Sequence, residues 1–204
     1  MELIIPNLPE MKEQKIISPE EYTYWKSREN RTFFIDYEFD ECYDLVELSK
    51  VIVQMNVEEA SIPEDELKPI FIYIQSFGGD TYQSSFFADL LISSRIPIVT
   101  VAMGSVMSAG FDVFLAGHRR YVFKHSQLLV HEGYCQMAGS AQEIDAAQRN
   151  YKRQLEESKV YILDRTDIDE KTFNKNRNKD WYLTIDEVQK YNIATVVTSF
   201  TDIK

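Results

Sequence analysis

The sequence contains few cysteines and few basic residues, and each shortage excludes a class of protein. Cys42 and Cys135 are the two cysteines in 204 residues. Their wide separation provides neither a disulfide framework nor the close ligand pair of a zinc site, so we expect reduced thiols and no metal. The 22 lysines and arginines are outnumbered by 33 acidic residues, for a net charge of −11. Because a basic surface supplies most of the non-specific affinity for nucleic acid, we expect no nucleic-acid partner.

Long apolar runs are also missing. No segment is long enough to cross a membrane. Residues 1–15 have neither the basic start nor the apolar core of a secretory signal, since they include Glu2, Glu10 and Glu13. We therefore expect a cytoplasmic protein that has no membrane partner.

Apolar residues are arranged with strand and helix spacing in alternation, which predicts an α/β fold. The 44% hydrophobic content is enough to fill one core, and the length predicts one domain. The buried runs at 70–74 and 98–102 predict parallel strands, with a helix at 81–94 between them. We also expect a helix start at Ser18, a helix at 43–55, and strands at 32–35, 121–123, 127–130 and 193–200.

Small residues surround Ser108 in the octapeptide 103–110, MGSVMSAG, directly after one of these strands. We expect a helix from Ser105 to Ala116, whose first turn would offer backbone N–H groups to an anion. Ser108 is a candidate nucleophile. A serine attacks a carbonyl only with a base and an oxyanion site nearby, and the alternative is that small residues simply permit tight packing.

Two other strand ends carry candidate site residues. His131 follows the strand at 127–130, whereas His118 and His125 lie among polar turn residues. The strand at 70–74 leads into Gly78-Gly79, where the backbone can approach a substrate closely. Since parallel α/β sheets gather their sites at strand ends, these groups are candidates for one site.

Capping boxes mark two later helices. Ser140 and Glu143 open a long helix to about Asp164, whose narrow apolar stripe fits a projecting helix that packs on another subunit; packing on its own domain is the alternative. Thr184 and Glu187 open a second helix, directly after the segment Asp180-Trp181-Tyr182-Leu183.

Over roughly 31–200, the ordered motifs resemble the proteolytic subunit of the Clp protease, the ClpP family. The matching motifs are Gly78-Gly79, Met103 to Ser108, His131, and Asp180 to Thr184. The resemblance implies Ser108 as nucleophile, His131 as general base and Asp180 as the group that orients the imidazole. It also implies that Gly79 and Ala109 supply the oxyanion N–H groups.

The resemblance carries further expectations about fold and partners. The fold would be the ClpP/crotonase-like arrangement of stacked βαβ units, with a projecting handle strand and helix at about 133–164. Residues 29–204 would form one peptidase domain behind an N-terminal arm of residues 1–28. The protein would be a serine endopeptidase without a cofactor, assembled as a homo-oligomeric heptameric ring, or two stacked rings, that cleaves peptides or unfolded proteins.

This chain departs from the family pattern at several positions. Glu132-Gly133 replaces the usual Gln-Pro, and Asn192 replaces a glycine. Asn178-Lys179 replaces an acidic residue and an arginine that pair between rings in the family, so we expect weaker ring stacking. The arm does not match the family's axial loop, which leaves the use of an AAA+ unfoldase open.

Two alternative functions are also compatible with the sequence. A catalytically silent ring subunit or scaffold would have the same motifs without an aligned triad. A crotonase-like acyl-CoA hydratase or isomerase would share the fold, but such enzymes work without a Ser-His-Asp set in this order.

Overall fold

The computed structural model describes residues 18–39 and 43–204. The expectations for Cys42 and for the arm before Ser18 lie outside the described residues. The strands are β1 Thr32–Ile35, β2 Ile70–Ser76, β3 Ile98–Met107, β4 Arg119–Phe123, β5 Gln127–Val130, β6 Trp181–Leu183 and β7 Thr195–Val197. The helices are α1 Pro19–Asn30, α2 Tyr43–Glu58, α3 Thr81–Ser93, α4 Ala109–Leu115, α5 Ala141–Asp164, α6 Glu170–Asn176 and α7 Ile185–Lys190.

The strands form one sheet in which β3 is shared by two sets of partners. The main path is β1-β2-β3-β4-β7, with every neighbouring pair parallel. The first half of β3 pairs with β4, and its last three residues, 105–107, pair in parallel with β5. β6 then runs antiparallel to β5. The α/β class predicted from the alternating pattern is confirmed.

The core lies where the apolar runs of the sequence meet. Ile70, Ile72 and Ile74 of β2 are fully buried, and the first five residues of β3 are buried on both faces of the sheet. Burying a side chain of this size stabilises the fold by about 1.5–3 kcal/mol. This core holds the strand ends in fixed positions.

The structure corrects the predicted start of the helix after β3. Residues 105–107 continue the strand because they pair with β5, and Val106 is fully buried. The helix begins at Ala109 instead of Ser105. Similarly, the last strand is limited to Thr195–Val197, because Ser199 caps a short 3-10 turn at Phe200–Asp202.

The capping predictions are confirmed. Ser18 and Glu21 form the box at the start of α1, Ser140 and Glu143 open α5, and Thr184 and Glu187 open α7. Asn192 adopts a left-handed backbone, with φ of 50°.

α5 is a long helix whose surface is largely unburied. Its 24 residues extend about 36 Å, and Ile162 is its one buried residue. The strand expected beside it is not formed within the chain: residues 131–139 belong to no strand. Most of them are exposed, so their backbone groups can bond to water instead of to a sheet edge.

Two further features bear on the sequence-based expectations. Among the described residues, no helix combines the length and apolarity that crossing a membrane requires. Cys135 is a free, exposed thiol.

Candidate active site

Ser108 lies in the single-residue junction between β3 and α4. Its backbone has φ of 52° and ψ of −128°, a conformation that costs a non-glycine residue about 1–3 kcal/mol. The junction is held from both sides, because the Ser108 N–H donates to the Leu129 carbonyl at 3.0 Å and its own carbonyl accepts from Phe111 N–H at 2.8 Å. The surrounding structure therefore fixes the direction in which the hydroxyl points.

Gly78 packs directly against this junction. A Cβ atom at this position would lie 2.8 Å from the Met107 carbonyl oxygen and 2.9 Å from the Ser108 Cβ. Its φ of 104° is also one that side chains rarely adopt. The sequence pattern predicted that the backbone at Gly78-Gly79 can approach another group closely. In the structure, the group that Gly78 approaches is the junction at Ser108.

The pairing of β5 with β6 brings His131 beside Asp180. Val130 and Trp181 are partners in this antiparallel ladder, so the residue after β5 and the residue before β6 are neighbours. His131 Nδ1 lies 2.9 Å from Asp180 Oδ1. The pairing of β3 with β5 likewise brings Ser108 close, and His131 Nε2 lies 2.8 Å from Ser108 Oγ.

These three side chains form one continuous chain of hydrogen bonds. The His131 side chain is 24% exposed and that of Asp180 is 59% exposed, so solvent screens the ion pair and its main effect is to orient the ring. With Nδ1 donating to the carboxylate, Nε2 carries the lone pair that can accept the serine proton. The arrangement is able to transfer that proton.

The two backbone N–H groups assigned by the resemblance also lie near Ser108. Ala109 is the first residue of α4, and Gly79 follows the glycine that contacts the junction. Neither N–H donates a hydrogen bond to another group in the described part of the chain. Both can therefore donate to an oxygen atom of a substrate.

A cavity of about 490 Å³ opens beside Ser108 and His131. Residues of α3, α4 and α5 line it. Residues with helical spacing face it from α3, namely Tyr82, Ser85 and Asp89, and from α5, namely Tyr151, Leu155, Ser158 and Ile162.

Asp112 lines this cavity and was not singled out by the sequence analysis. Burial raises the pKa of its carboxyl from 3.8 to about 7. Burial and the Asp112 charge also raise the pKa of Tyr161, which lines the same cavity. The sequence feature that could have identified Asp112 is that it is a lone carboxylate, four residues after Ser108, in the otherwise apolar helix AGFDVFL.

Arg177 links the segments on either side of the His131–Asp180 contact. Its Nε forms an ion pair with Glu132, the residue after His131, and its Nη2 lies 3.3 Å from Glu156 of α5. Glu132, one of the departures from the family pattern, therefore has a partner within the chain.

No group of three or more metal-ligating side chains occurs among the described residues.

Comparisons with known proteins found related sequences and a related structure. The family model described as Clp protease matches residues 30–200. A proteolytic subunit 2 of the ATP-dependent Clp protease from Treponema denticola is 29% identical over 153 residues, which cover 74% of this chain and 76% of that protein. A proteolytic subunit 1 from Bacillus cereus is 28% identical, over 72% of this chain and 75% of that protein.

Among solved structures, a ClpP1 variant from Listeria monocytogenes superposes with a TM-score of 0.71. The match covers 89% of this chain and 99% of that one, at 23% identity. At this identity the likeness shows the fold.

Proposed function

The chain belongs to the Clp protease family, and from this premise we propose that it is a serine endopeptidase that uses Ser108, His131 and Asp180. The observation that carries the proposal is the pair of contacts centred on one imidazole, 2.8 Å to Ser108 Oγ and 2.9 Å to Asp180 Oδ1. Both distances lie in the range of a hydrogen bond that can transfer or orient a proton.

In the proposed mechanism, Ser108 Oγ attacks the carbonyl carbon of a peptide bond while His131 Nε2 takes its proton. The carbonyl oxygen becomes an oxyanion, which the N–H groups of Gly79 and Ala109 stabilise. The imidazolium then gives the proton to the leaving amine, and an acyl-enzyme forms. Water, activated by the same imidazole, attacks the ester and releases the acid and the free serine.

Asp180 holds the ring in the tautomer that this sequence of steps needs. A carboxylate hydrogen-bonded to Nδ1 keeps Nε2 facing the serine and stabilises the imidazolium while it exists. Since Asp180 is largely exposed, orientation of the ring is the larger part of its contribution.

We further propose that the chain acts as a homo-oligomeric ring that encloses its site. Only one residue of α5 is buried within the chain, while Ile144 and Val160 are exposed on it, which supports contact with another subunit. The heptameric count, the stacking of two rings and the use of an unfoldase rest on the family resemblance. The division into an arm of residues 1–28 and a peptidase domain of residues 29–204 stays a prediction.

Hydrolysis of a short, unstructured fluorogenic peptide without ATP tests the proposed activity. We expect turnover by the intact chain and at least about a 1000-fold loss in Ser108→Ala. Ser105→Ala is the matched control, because Ser105 lies in β3 and hydrogen-bonds to neither His131 nor Asp180. Absence of turnover in the intact chain would favour a catalytically silent subunit, and activity retained by Ser108→Ala would exclude the assigned nucleophile.

A further inference from the structure

We propose that the cavity beside Ser108 binds a cationic side chain, that of lysine or arginine, and that Asp112 selects it. The side chain would belong to the residue whose carbonyl Ser108 attacks. This inference rests on the proposed peptidase function and adds a substrate class to it.

The first observation is the position of Asp112 relative to the nucleophile. Asp112 lies one helical turn after Ser108, and its N–H donates to the Ser108 carbonyl at 3.3 Å. Both residues line the same cavity. Ser108 caps α4, so a side chain that enters the cavity beside it lies about one helical turn, roughly 5.4 Å along the axis, from Asp112, a separation that the four-carbon stem of lysine can span.

The second observation is that two of the four acidic residues lining this cavity have no partner in the protein, whereas Glu132 and Glu157 pair with arginines. Asp112 and Asp89 line it from α4 and α3, and neither carboxylate forms an ion pair or a side-chain hydrogen bond with the described residues. Arg153 is the one cation among the described lining residues, and its partner is Glu157 on the same helix, at 3.8 Å. The cavity therefore holds two carboxyl groups, those of Asp112 and Asp89, that have no cationic partner among the described residues.

The third observation is the cost of leaving Asp112 without a partner. A carboxylate that is withdrawn from water and unpaired is unfavourable, and the raised pKa of Asp112 reflects that cost. A bound ammonium or guanidinium group would provide the missing opposite charge. An acidic side chain would be repelled, and an apolar one would bury the carboxylate further without a partner.

The rest of the lining fits a long side chain with a polar end. Ala88, Leu155 and Ile162 offer apolar surface for a methylene stem. The hydroxyl groups of Ser85, Ser158 and Tyr161 can accept hydrogen bonds from N–H donors.

Three matched peptides test the proposal. Each ends in a coumarin amide, preceded by lysine, its uncharged analogue norleucine, or glutamate. We expect kcat/KM for lysine to exceed that for norleucine by at least about tenfold, with glutamate the poorest. Norleucine cleaved as well as or better than lysine by the intact chain would overturn the assignment.

Variants identify the group that selects the charge. Asp112→Asn should bring the ratio of lysine to norleucine close to one, whereas Asp112→Glu should retain a preference for lysine. Asp65→Asn is the matched control, since it removes one negative charge from an exposed site outside the cavity, and it should keep the ratio of the intact chain. An unchanged ratio in Asp112→Asn would contradict the role of Asp112.

Binding distinguishes a failure of this inference from a failure of the proposed activity. In Ser108→Ala, calorimetric titration with uncleaved lysine and norleucine peptides should show at least about tenfold tighter binding of lysine. If no peptide is hydrolysed, the proposed peptidase activity is wrong, but the titration still shows whether the cavity prefers a cationic side chain. Equal affinities would overturn the cationic pocket even in an active enzyme.

Discussion

At the residue scale, the site depends on a few positions whose backbone or charge the surrounding structure controls. The sequence motifs identified Ser108, His131 and Asp180, and the structure places the three side chains in contact. The motifs did not identify Asp112, because the role proposed for it depends on the cavity that it lines together with residues of α3 and α5. Only the assembled fold shows that this partly exposed carboxylate lines the cavity without a partner among the described residues.

Gly78→Ala should destabilise the fold and reduce the reactivity of Ser108. The new Cβ would lie within 3 Å of the Met107 carbonyl oxygen, at a φ of 104°, and we expect a loss of about 2–4 kcal/mol in the free energy of unfolding. Denaturant unfolding and peptide turnover measure both effects.

Gly133→Ala is the control for that experiment. Gly133 also has a positive φ, of 68°, but the nearest atom to a new Cβ there would be His131 Nε2, at 3.9 Å, so the variant is a control for stability and not for turnover. A loss of about 1 kcal/mol is expected from the backbone alone. Equal losses in the free energy of unfolding would show that the contact between Gly78 and the serine junction is unimportant for stability.

Asp112→Asn should stabilise the protein in a pH-dependent way. The folded state raises the pKa of Asp112 from 3.8 to about 7, so it favours the protonated carboxyl. The penalty for ionising Asp112 is absent below pH about 4 and fully present above pH about 7. The variant should therefore match the parent chain at pH 4 and exceed its free energy of unfolding by about 2–4 kcal/mol at pH 8.

Denaturant unfolding at the two pH values measures this difference. Asp65→Asn, at an exposed position, should show no comparable change between pH 4 and pH 8. A stabilisation by Asp112→Asn that is the same at both pH values would contradict the assigned cause.

At the element scale, strand pairing decides which residues meet. The apolar periodicity predicted most strands and helices, including α2, α3 and β5. It misplaced the start of α4, because the last three residues of β3 are held in a strand by β5, a partner distant in sequence. It also could not show that β6 runs antiparallel to β5 and so brings Asp180 to His131.

Arg177→Gln should weaken catalysis more than it weakens folding. Arg177 forms ion pairs with Glu132, beside His131, and with Glu156 on α5, and it precedes Asp180 by three residues. Its loss should allow the segments that hold the base and the acid to move apart. We expect kcat to fall by about three- to tenfold, with a change of about 1 kcal/mol or less in the free energy of unfolding.

Arg149→Gln is the matched control, because Arg149 pairs with Asp145 on the exposed surface of α5. It should leave kcat unchanged. If Arg177→Gln altered stability and kcat no more than this control does, the link between the two segments would have no catalytic role.

At the scale of the whole molecule, the chain leaves apolar surface on α5 that the monomer does not cover. Ile144 and Val160 are both more than one-third exposed. The sequence pattern predicted this long, capped helix, but it does not indicate which surface of another subunit would cover the helix. The number of subunits therefore has to be measured on the assembled protein.

Analytical ultracentrifugation should detect a ring larger than a monomer, with ring stacking that weakens on dilution and at high salt. Asn178 and Lys179 lack the carboxylate and the guanidinium that pair between rings in the family, and Arg177 is occupied within the chain. Lysine cannot replace the bidentate pairing of arginine. A double ring that persists at high dilution and high salt, with full peptidase activity, would contradict this prediction.

The most direct test of the central claim is covalent labelling with a fluorophosphonate, followed by mass-spectrometric mapping of the modified residue. We expect one adduct, on Ser108, that is lost in Ser108→Ala and strongly reduced in His131→Ala, since the imidazole 2.8 Å away would activate the hydroxyl. An adduct on Ser105 or another serine, or undiminished labelling in Ser108→Ala, would contradict it.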